Sequence, residues 1–183
     1  MEIALFGGSF DPPHVGHVLA MAYVLATEPV DELWMLPVFG HPLAKQLTAT
    51  FEQRVELCQR AIDSAGLARA KVSLVEAELR GEGRTVDLLE HLHAQRPEVK
   101  WALVMGSDLL NEKHLWKRFE RIEELARIIE IQRQGHERGD GAALLPEVSS
   151  TEVRQRLREG NDAHRLVPRA VLQAIRAQGS YRT

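Results

Sequence analysis

Ile3–His17, IALFGGSFDPPHVGH, compresses a strand, a glycine turn and a helix start into one short stretch. Ile3 to Phe6 is an unbroken apolar run, as expected of a strand covered on both faces in a parallel sheet. Gly7 and Gly8 carry no Cβ, so the backbone can turn there and approach a ligand closely. Pro12 and Pro13 stiffen the loop. A helix beginning near His14 to Gly16 then points its free N–H groups, carrying roughly half a unit of positive charge, back at the glycines. Strand, turn and helix N-terminus together form a seat for phosphate.

His14 and His17 are three residues apart, so in a first helical turn they project toward the same bound group, and Gly16 leaves room for it. Isolated histidines at a helix start usually serve as caps or surface groups. Here the glycine turn just upstream favours phosphate. Zinc is disfavoured, since neither HExxH nor a cysteine spacing accompanies the pair. Two other phosphate loops are excluded: there is no GxxxxGK[ST], and GGSFDP lacks the GxGxxG spacing of a dinucleotide-binding turn.

The chain has 183 residues, 44% of them hydrophobic and 27% charged, which suits one globular domain over 1–183 rather than a disordered chain. A net charge of −3 gives no general attraction to nucleic acid. The arginine-rich C-terminal stretch reads as a solvated helix face; the less favoured alternative is that one or two of its arginines touch a ligand phosphate. The single cysteine, Cys58, can form neither an internal disulfide nor a CxxC pair and falls in the apolar phase of a helix. No leader pattern opens the chain and no run approaches the roughly 18 apolar residues of a membrane span, so the expected compartment is the cytoplasm, with no membrane partner.

Strand and helix patterns alternate along the rest of the chain. Val18 to Ala26 reads as a helix buried on most of its circumference, and Asp31–Pro37 as a second strand, parallel to the first through a right-handed crossover. Lys45 lies in the following loop, where ligands gather in open α/β sheets; it is either a phosphate contact or a surface lysine. Thr50 and Gln53 form a capping box ahead of a helix whose stripe is Phe51, Val55, Leu57, Cys58 and Ile62. Lys71 to Glu78 reads as a third strand, and Thr85 as the N-cap of a helix reaching Ala94, with His91 and His93 at its surface.

Trp101 to Met105 is a buried strand emptying into Gly106, Ser107 and Asp108. Asp108 there either accepts hydrogen bonds from a ribose or caps the next helix. His114 to Ala126 has a helical core pattern in which Trp116 is a core residue or a stacking platform. Arg127 to Ile131 is a further strand, and Gln134 to Gly141 a turn. Ser149 and Glu152 fit a capping box, yet Ser149, Ser150 and Thr151 at a helix N-terminus with Arg154 in its first turn also make a second anion site. Val167 to Ala177 closes the chain as an amphipathic helix.

Two phosphate-binding helix starts far apart in sequence suggest a polyphosphate held between them. The chemistry this suits is attack by a second substrate's phosphate on the α-phosphorus of a nucleoside triphosphate, with His14 and His17 stabilising the charge that builds there and Mg²⁺ carried by the triphosphate.

The string GGSFDPPHVGH resembles the GG(T/S)FDPxHxGH signature of the nucleotidylyltransferase superfamily. Further matches narrow the resemblance to the bacterial nicotinate-nucleotide adenylyltransferases: Thr85-Val86-Asp87-Leu88-Leu89, Gly106-Ser107-Asp108, Leu115-Trp116-Lys117, and Ser149-Ser150-Thr151-Glu152-Val153-Arg154. The resemblance implies a single doubly wound, Rossmann-like α/β domain with a parallel central sheet. It also implies adenylyl transfer from ATP to nicotinate mononucleotide, giving deamido-NAD and pyrophosphate in NAD biosynthesis. His14 and His17 would be catalytic. Gly7, Gly8, Ser9, Phe10, Gly106, Asp108, Ser150, Thr151 and Arg154 would bind ATP, and Lys45, Thr85 and Trp116 the mononucleotide. No protein-held metal is implied beyond Mg²⁺ on ATP. The chain departs from the family at Gly40–Lys45, where PPHK is usual, at Arg84 in place of tyrosine, and at Gln134 in place of proline. Other acceptors, nicotinamide mononucleotide or phosphopantetheine, and a nucleotide-binding module without turnover are the alternatives; the oligomeric state is left open.

Overall fold

A computed structural model of the chain describes residues 1–39, 47–79, 84–132 and 144–181, without the side chains of Asp108 and Asn111. The expectations at Lys45, at Gln134 to Gly141 and at the side chain of Asp108 lie outside the described residues.

Five parallel strands, β1 (Glu2–Gly8), β2 (Glu32–Pro37), β3 (Ala70–Val72), β4 (Lys100–Gly106) and β5 (Arg127–Ile131), form one sheet in the order β3-β2-β1-β4-β5. The helices are α1 (Val15–Thr27), α2 (Phe51–Ser64), α3 (Val75–Leu79), α4 (Thr85–Gln95), α5 (Ser107–Asn111), α6 (Phe119–Leu125), α7 (Ser150–Arg158) and α8 (Arg169–Gln178). Strand side chains alternate between the two faces. Ile3 and Leu5 pack with Trp101, Leu103 and the apolar stripes of α4 and α6, while Ala4 and Phe6 pack with Met21 and Val24 of α1 and Cys58 and Ile62 of α2. A third cluster joins α2, α7 and α8 through Leu57, Val153, Val171 and Ile175. This is the expected doubly wound α/β fold.

The strand order reverses direction at β1, between its neighbours β2 and β4, and such switch points open a crevice at the carboxyl ends of the strands. The register shows it. β1 pairs with β4 only from Glu2↔Lys100 to Leu5↔Leu103, whereas β1 stays paired with β2 to Gly8↔Pro37 and β4 with β5 to Gly106↔Ile131. Phe6–Gly8 and Val104–Gly106 therefore part from one another at the sheet's C-terminal edge.

Several local expectations are corrected. β1 continues through both glycines, and the turn falls at Ser9–Asp11, where Phe10 adopts a left-handed conformation with φ 45°. Gly8 is required by a close approach instead: a Cβ there would lie 2.9 Å from the Phe10 ring. α1 buries one stripe, Ala20, Met21, Val24 and Leu25, and leaves Leu19 and Ala26 exposed. The third strand is only Ala70–Val72, an edge strand paired with β2 alone, and Val75–Leu79 turns into helix. Thr85 is the first helical residue of α4, with Arg84 at the N-cap. The helix expected from His114 is a 3-10 turn at Lys113–Leu115 and then α6, because Arg118 sits at φ 55° and breaks the run. His91 and His93 are half-buried rather than on the surface, each with one ring nitrogen shielded from water.

Candidate active site

The N-cap of α1 is His14, 3% exposed, whose ring stacks on that of His17 with centroids 3.6 Å apart and planes 23° from parallel. The His14 backbone N–H donates to His17 Nδ1 at 3.1 Å, so in the neutral imidazole the proton resides on Nε2. The Phe10 ring meets His17 edge-on at 4.9 Å, and Phe6 meets Phe10 at 5.5 Å. The buried Phe10 ring thus backs the imidazole while lying against Gly8. Gly16 allows the histidine packing: a Cβ there would stand 3.1 Å from the His14 ring. Gly7, by contrast, is exposed, and a Cβ on it would meet nothing within 4 Å among the described residues.

The distant hydroxyl motif lands on this loop. Ser149 is the N-cap of α7, its Oγ accepting from Glu152 N–H at 3.1 Å, which is one half of the expected capping box; the Glu152 carboxylate pairs instead with Arg156 one turn on, at 2.9 Å. Ser150 Oγ donates to the Pro12 carbonyl at 2.9 Å. Arg154 Nη1 donates to the Asp11 carbonyl at 2.7 Å and Nη2 to Thr151 Oγ1 at 3.2 Å. Residues separated by about 140 positions are therefore in direct contact, and the N-terminus of α7 stands against the loop that leads into the N-terminus of α1. A small pocket beside them runs from His14 and Gly16 to Gly106 and Ile131, and is closed by Leu145 and Val148. It occupies the crevice where β1 and β4 separate.

Thr85 and Trp116 lie on the other face of the sheet, with the cluster of α4 and α6. Trp116 is half-buried and packs edge-to-face on Phe119 at 6.3 Å. An ion pair of 3.6 Å between Lys117 and Asp87 ties its segment to the start of α4, bringing Trp116 and Thr85 into one neighbourhood.

Three residues beneath the cleft were missed in the sequence. Asp11, 2% exposed, accepts from Thr48 N–H (2.7 Å), Ala49 N–H (3.0 Å) and the Tyr181 hydroxyl (2.7 Å). Arg54, 1% exposed, donates to the carbonyls of Ser9 and Val38, both at 2.8 Å, and joins the end of β1 to the end of β2. Burial pulls the Arg54 guanidinium below its ordinary value against the opposing pull of Asp11, and burial together with the Asp11 charge pushes the Tyr181 phenol up. Arg54 carried a faint signal, since it occupies the same helical phase as Leu57, Cys58 and Ala61. Tyr181 carried none.

A Rossmann-like sheet with two helix N-termini and an imidazole pair converging on its switch point defines a nucleotide-handling enzyme of the nucleotidyltransferase class. Comparison with known proteins agrees: residues 5–156 match the cytidylyltransferase-like family. The chain is 50% identical to an Anaeromyxobacter dehalogenans protein and 42% identical to a Myxococcus xanthus protein, both named "Probable nicotinate-nucleotide adenylyltransferase". Each alignment covers 99% of this chain, and 97% and 95% of the respective relatives. The fold matches the structure of Plasmodium falciparum nicotinic acid mononucleotide adenylyltransferase complexed with NaAD at a TM-score of 0.82 and 20% identity, over 98% of this chain and 97% of that one. The chain belongs to the nicotinate-nucleotide adenylyltransferase family, within the cytidylyltransferase-like family.

Proposed function

We propose that the protein transfers the adenylyl group of ATP to nicotinate mononucleotide, releasing pyrophosphate and forming deamido-NAD, a step of NAD biosynthesis. The observation that carries this reading is the direct bonding of Ser150 and Arg154 onto the Asp11–Pro12 backbone. It brings together the two motifs expected to bind phosphate, which supports the reading, and the names of the relatives support the acceptor.

In this reaction an oxygen of the mononucleotide phosphate bonds to the α-phosphorus of ATP. The bond from that phosphorus to the bridging oxygen breaks, and its electron pair leaves on pyrophosphate. Little covalent help is needed, so positioning and charge neutralisation supply the rate. His17 presents Nε2–H to an α-phosphate oxygen, fixed by the Nδ1 hydrogen bond and by Phe10 behind it. His14 stacks on it from the N-cap of α1 and bears on the bridging oxygen. Ser150, Thr151 and Arg154 take the outer phosphates. Gly7 to Phe10 offer ATP their backbone, with Gly7 leaving open space. Gly106, which lines the pocket, and Asp108 hold adenosine; Thr85 and Trp116 receive the mononucleotide from the other face, and Lys45 takes its phosphate.

Magnesium enters with the substrate as MgATP. Among the described residues no three His, Cys, Asp or Glu side chains group to hold a metal, and no helix is long and apolar enough to cross a membrane. With MgATP as donor, the compartment we assign is the cytoplasm.

The test is to incubate the protein with MgATP and, separately, nicotinate mononucleotide, nicotinamide mononucleotide and phosphopantetheine, reading pyrophosphate and product mass. Pyrophosphate with deamido-NAD from the first supports the reading. A clear preference for another acceptor replaces the substrate, and nucleotide binding without product from any acceptor replaces the enzyme by a binding module.

A further inference from the structure

Tyr181 ends a path of hydrogen bonds that begins at the cleft. After α8 the chain turns at Gly179 (φ 66°) and again at Tyr181 itself (φ 67°), a backbone conformation that a bulky residue adopts only when its surroundings impose it. The surroundings are specific. The ring is 3% exposed in the cluster of α2, α7 and α8, and the hydroxyl donates to Asp11 Oδ1 at 2.7 Å. The Asp11 carboxylate also accepts the N–H groups of Thr48 and Ala49, and its Oδ2 stands 3.9 Å from Arg154 Nη1, which donates to the Asp11 carbonyl. Asp11 is three residues before His14, and Pro12 between them receives Ser150.

We propose that Tyr181 is a positioning residue of the adenylyl-transfer site: through its hydrogen bond to Asp11 it sets the loop that presents His14 and His17 and the guanidinium of Arg154. A packing role alone would need the ring but not the hydroxyl. Burial and the Asp11 charge raise the phenol's pKa, so it remains a donor throughout the working range of the enzyme. The proposal rests on the adenylyl-transfer reading only in naming the reaction affected; the predicted effect on nucleotide binding does not depend on the acceptor.

The experiment uses the full chain with Tyr181→Phe, which keeps the ring and deletes the donor. Three quantities are read: thermal unfolding, the kcat and KM for MgATP and for nicotinate mononucleotide, and calorimetric titration with a non-hydrolysable ATP analogue in the absence of acceptor. Expected are a folded protein, about a tenfold fall in kcat/KM for ATP, an unchanged KM for the mononucleotide, and analogue binding weakened several-fold. A second arm places Tyr181→Phe on an Asp11→Ala background, which removes the acceptor of the Tyr181 hydroxyl, so the further loss should shrink to less than twofold. Unchanged kinetics and unchanged analogue binding in folded Tyr181→Phe overturn the proposal, as does an equal loss on both backgrounds. If the parent chain made no product from nicotinate mononucleotide, the functional reading would fail, and the analogue titration would still decide the role of Tyr181.

Discussion

Gly7 and Gly8 are adjacent, yet alanine should act on them in opposite ways. At Gly8 the new Cβ would lie 2.9 Å from Phe10 Cζ, 3.0 Å from Cε1 and 3.3 Å from Cε2, about half an ångström inside ordinary contact. The Phe10 ring has no space to retreat: it is 1% exposed and bounded by Phe6 at 5.5 Å and His17 at 4.9 Å. Overpacking of this kind costs about 1–3 kcal/mol. For a chain of this size that is a fall in Tm of about 2–12 °C. Any movement of Phe10 is passed to His17, and misplacing a group at the reacting centre by as much as an ångström costs about 100-fold in rate. Gly8→Ala should therefore lose both stability and activity. At Gly7 a Cβ meets nothing within 4 Å among the described residues and no left-handed φ is required, so Gly7→Ala should unfold within about 0.5 kcal/mol of the parent. If ATP passes over that strand end, it should still lose most of its activity. Urea unfolding and steady-state pyrophosphate release on both variants separate the two effects. Equal stability of Gly8→Ala and parent, or equal destabilisation by the two substitutions, refutes the packing argument; a fully active Gly7→Ala refutes the placement of ATP.

On the proposed role, His17→Ala should lower kcat by roughly 100-fold or more with modest loss of ATP affinity, as expected of a hydrogen bond that matures in the transition state; near-normal turnover removes that role. Arg54→Met should destabilise by about 3 kcal/mol, because the half-buried carbonyls of Ser9 and Val38 lose the charged donor that a buried Arg54 gives them, and a denaturation midpoint within error of the parent would show that these bonds add nothing. Burial pushes the Cys58 thiol up, so it should resist a thiol reagent at pH 8 in the folded protein and react once urea unfolds it; rapid labelling of the native chain would contradict its packing beneath the sheet.

The parts of this protein that could be read along the chain were those whose chemistry is contiguous. IALFGGSFDPPHVGH contains strand, loop and helix cap within reach of one ligand, and the alternation that follows leads to a parallel sheet. Local competition blurred the rest. Lys71 to Glu78 has β-like alternation, but the strand lies at the sheet edge with one neighbour, so pairing holds only Ala70–Val72 and the acidic remainder coils. Arg118 in the left-handed region splits a segment whose apolar spacing is helical throughout. The support beneath the site was illegible for another reason. Asp11 and Tyr181 are 170 residues apart and meet only because α8 packs on α2, and no periodicity records such a contact.

The central claim is that a triphosphate is gripped between the His14–His17 pair and the Ser150–Arg154 cluster at the β1/β4 crevice. A crystal structure of the protein with a non-hydrolysable ATP analogue and Mg²⁺ tests it most directly. The account predicts an α-phosphate oxygen within hydrogen-bond distance of His17 Nε2 and the outer phosphates on Ser150, Thr151 and Arg154; a nucleotide bound with its phosphates away from both groups would contradict it.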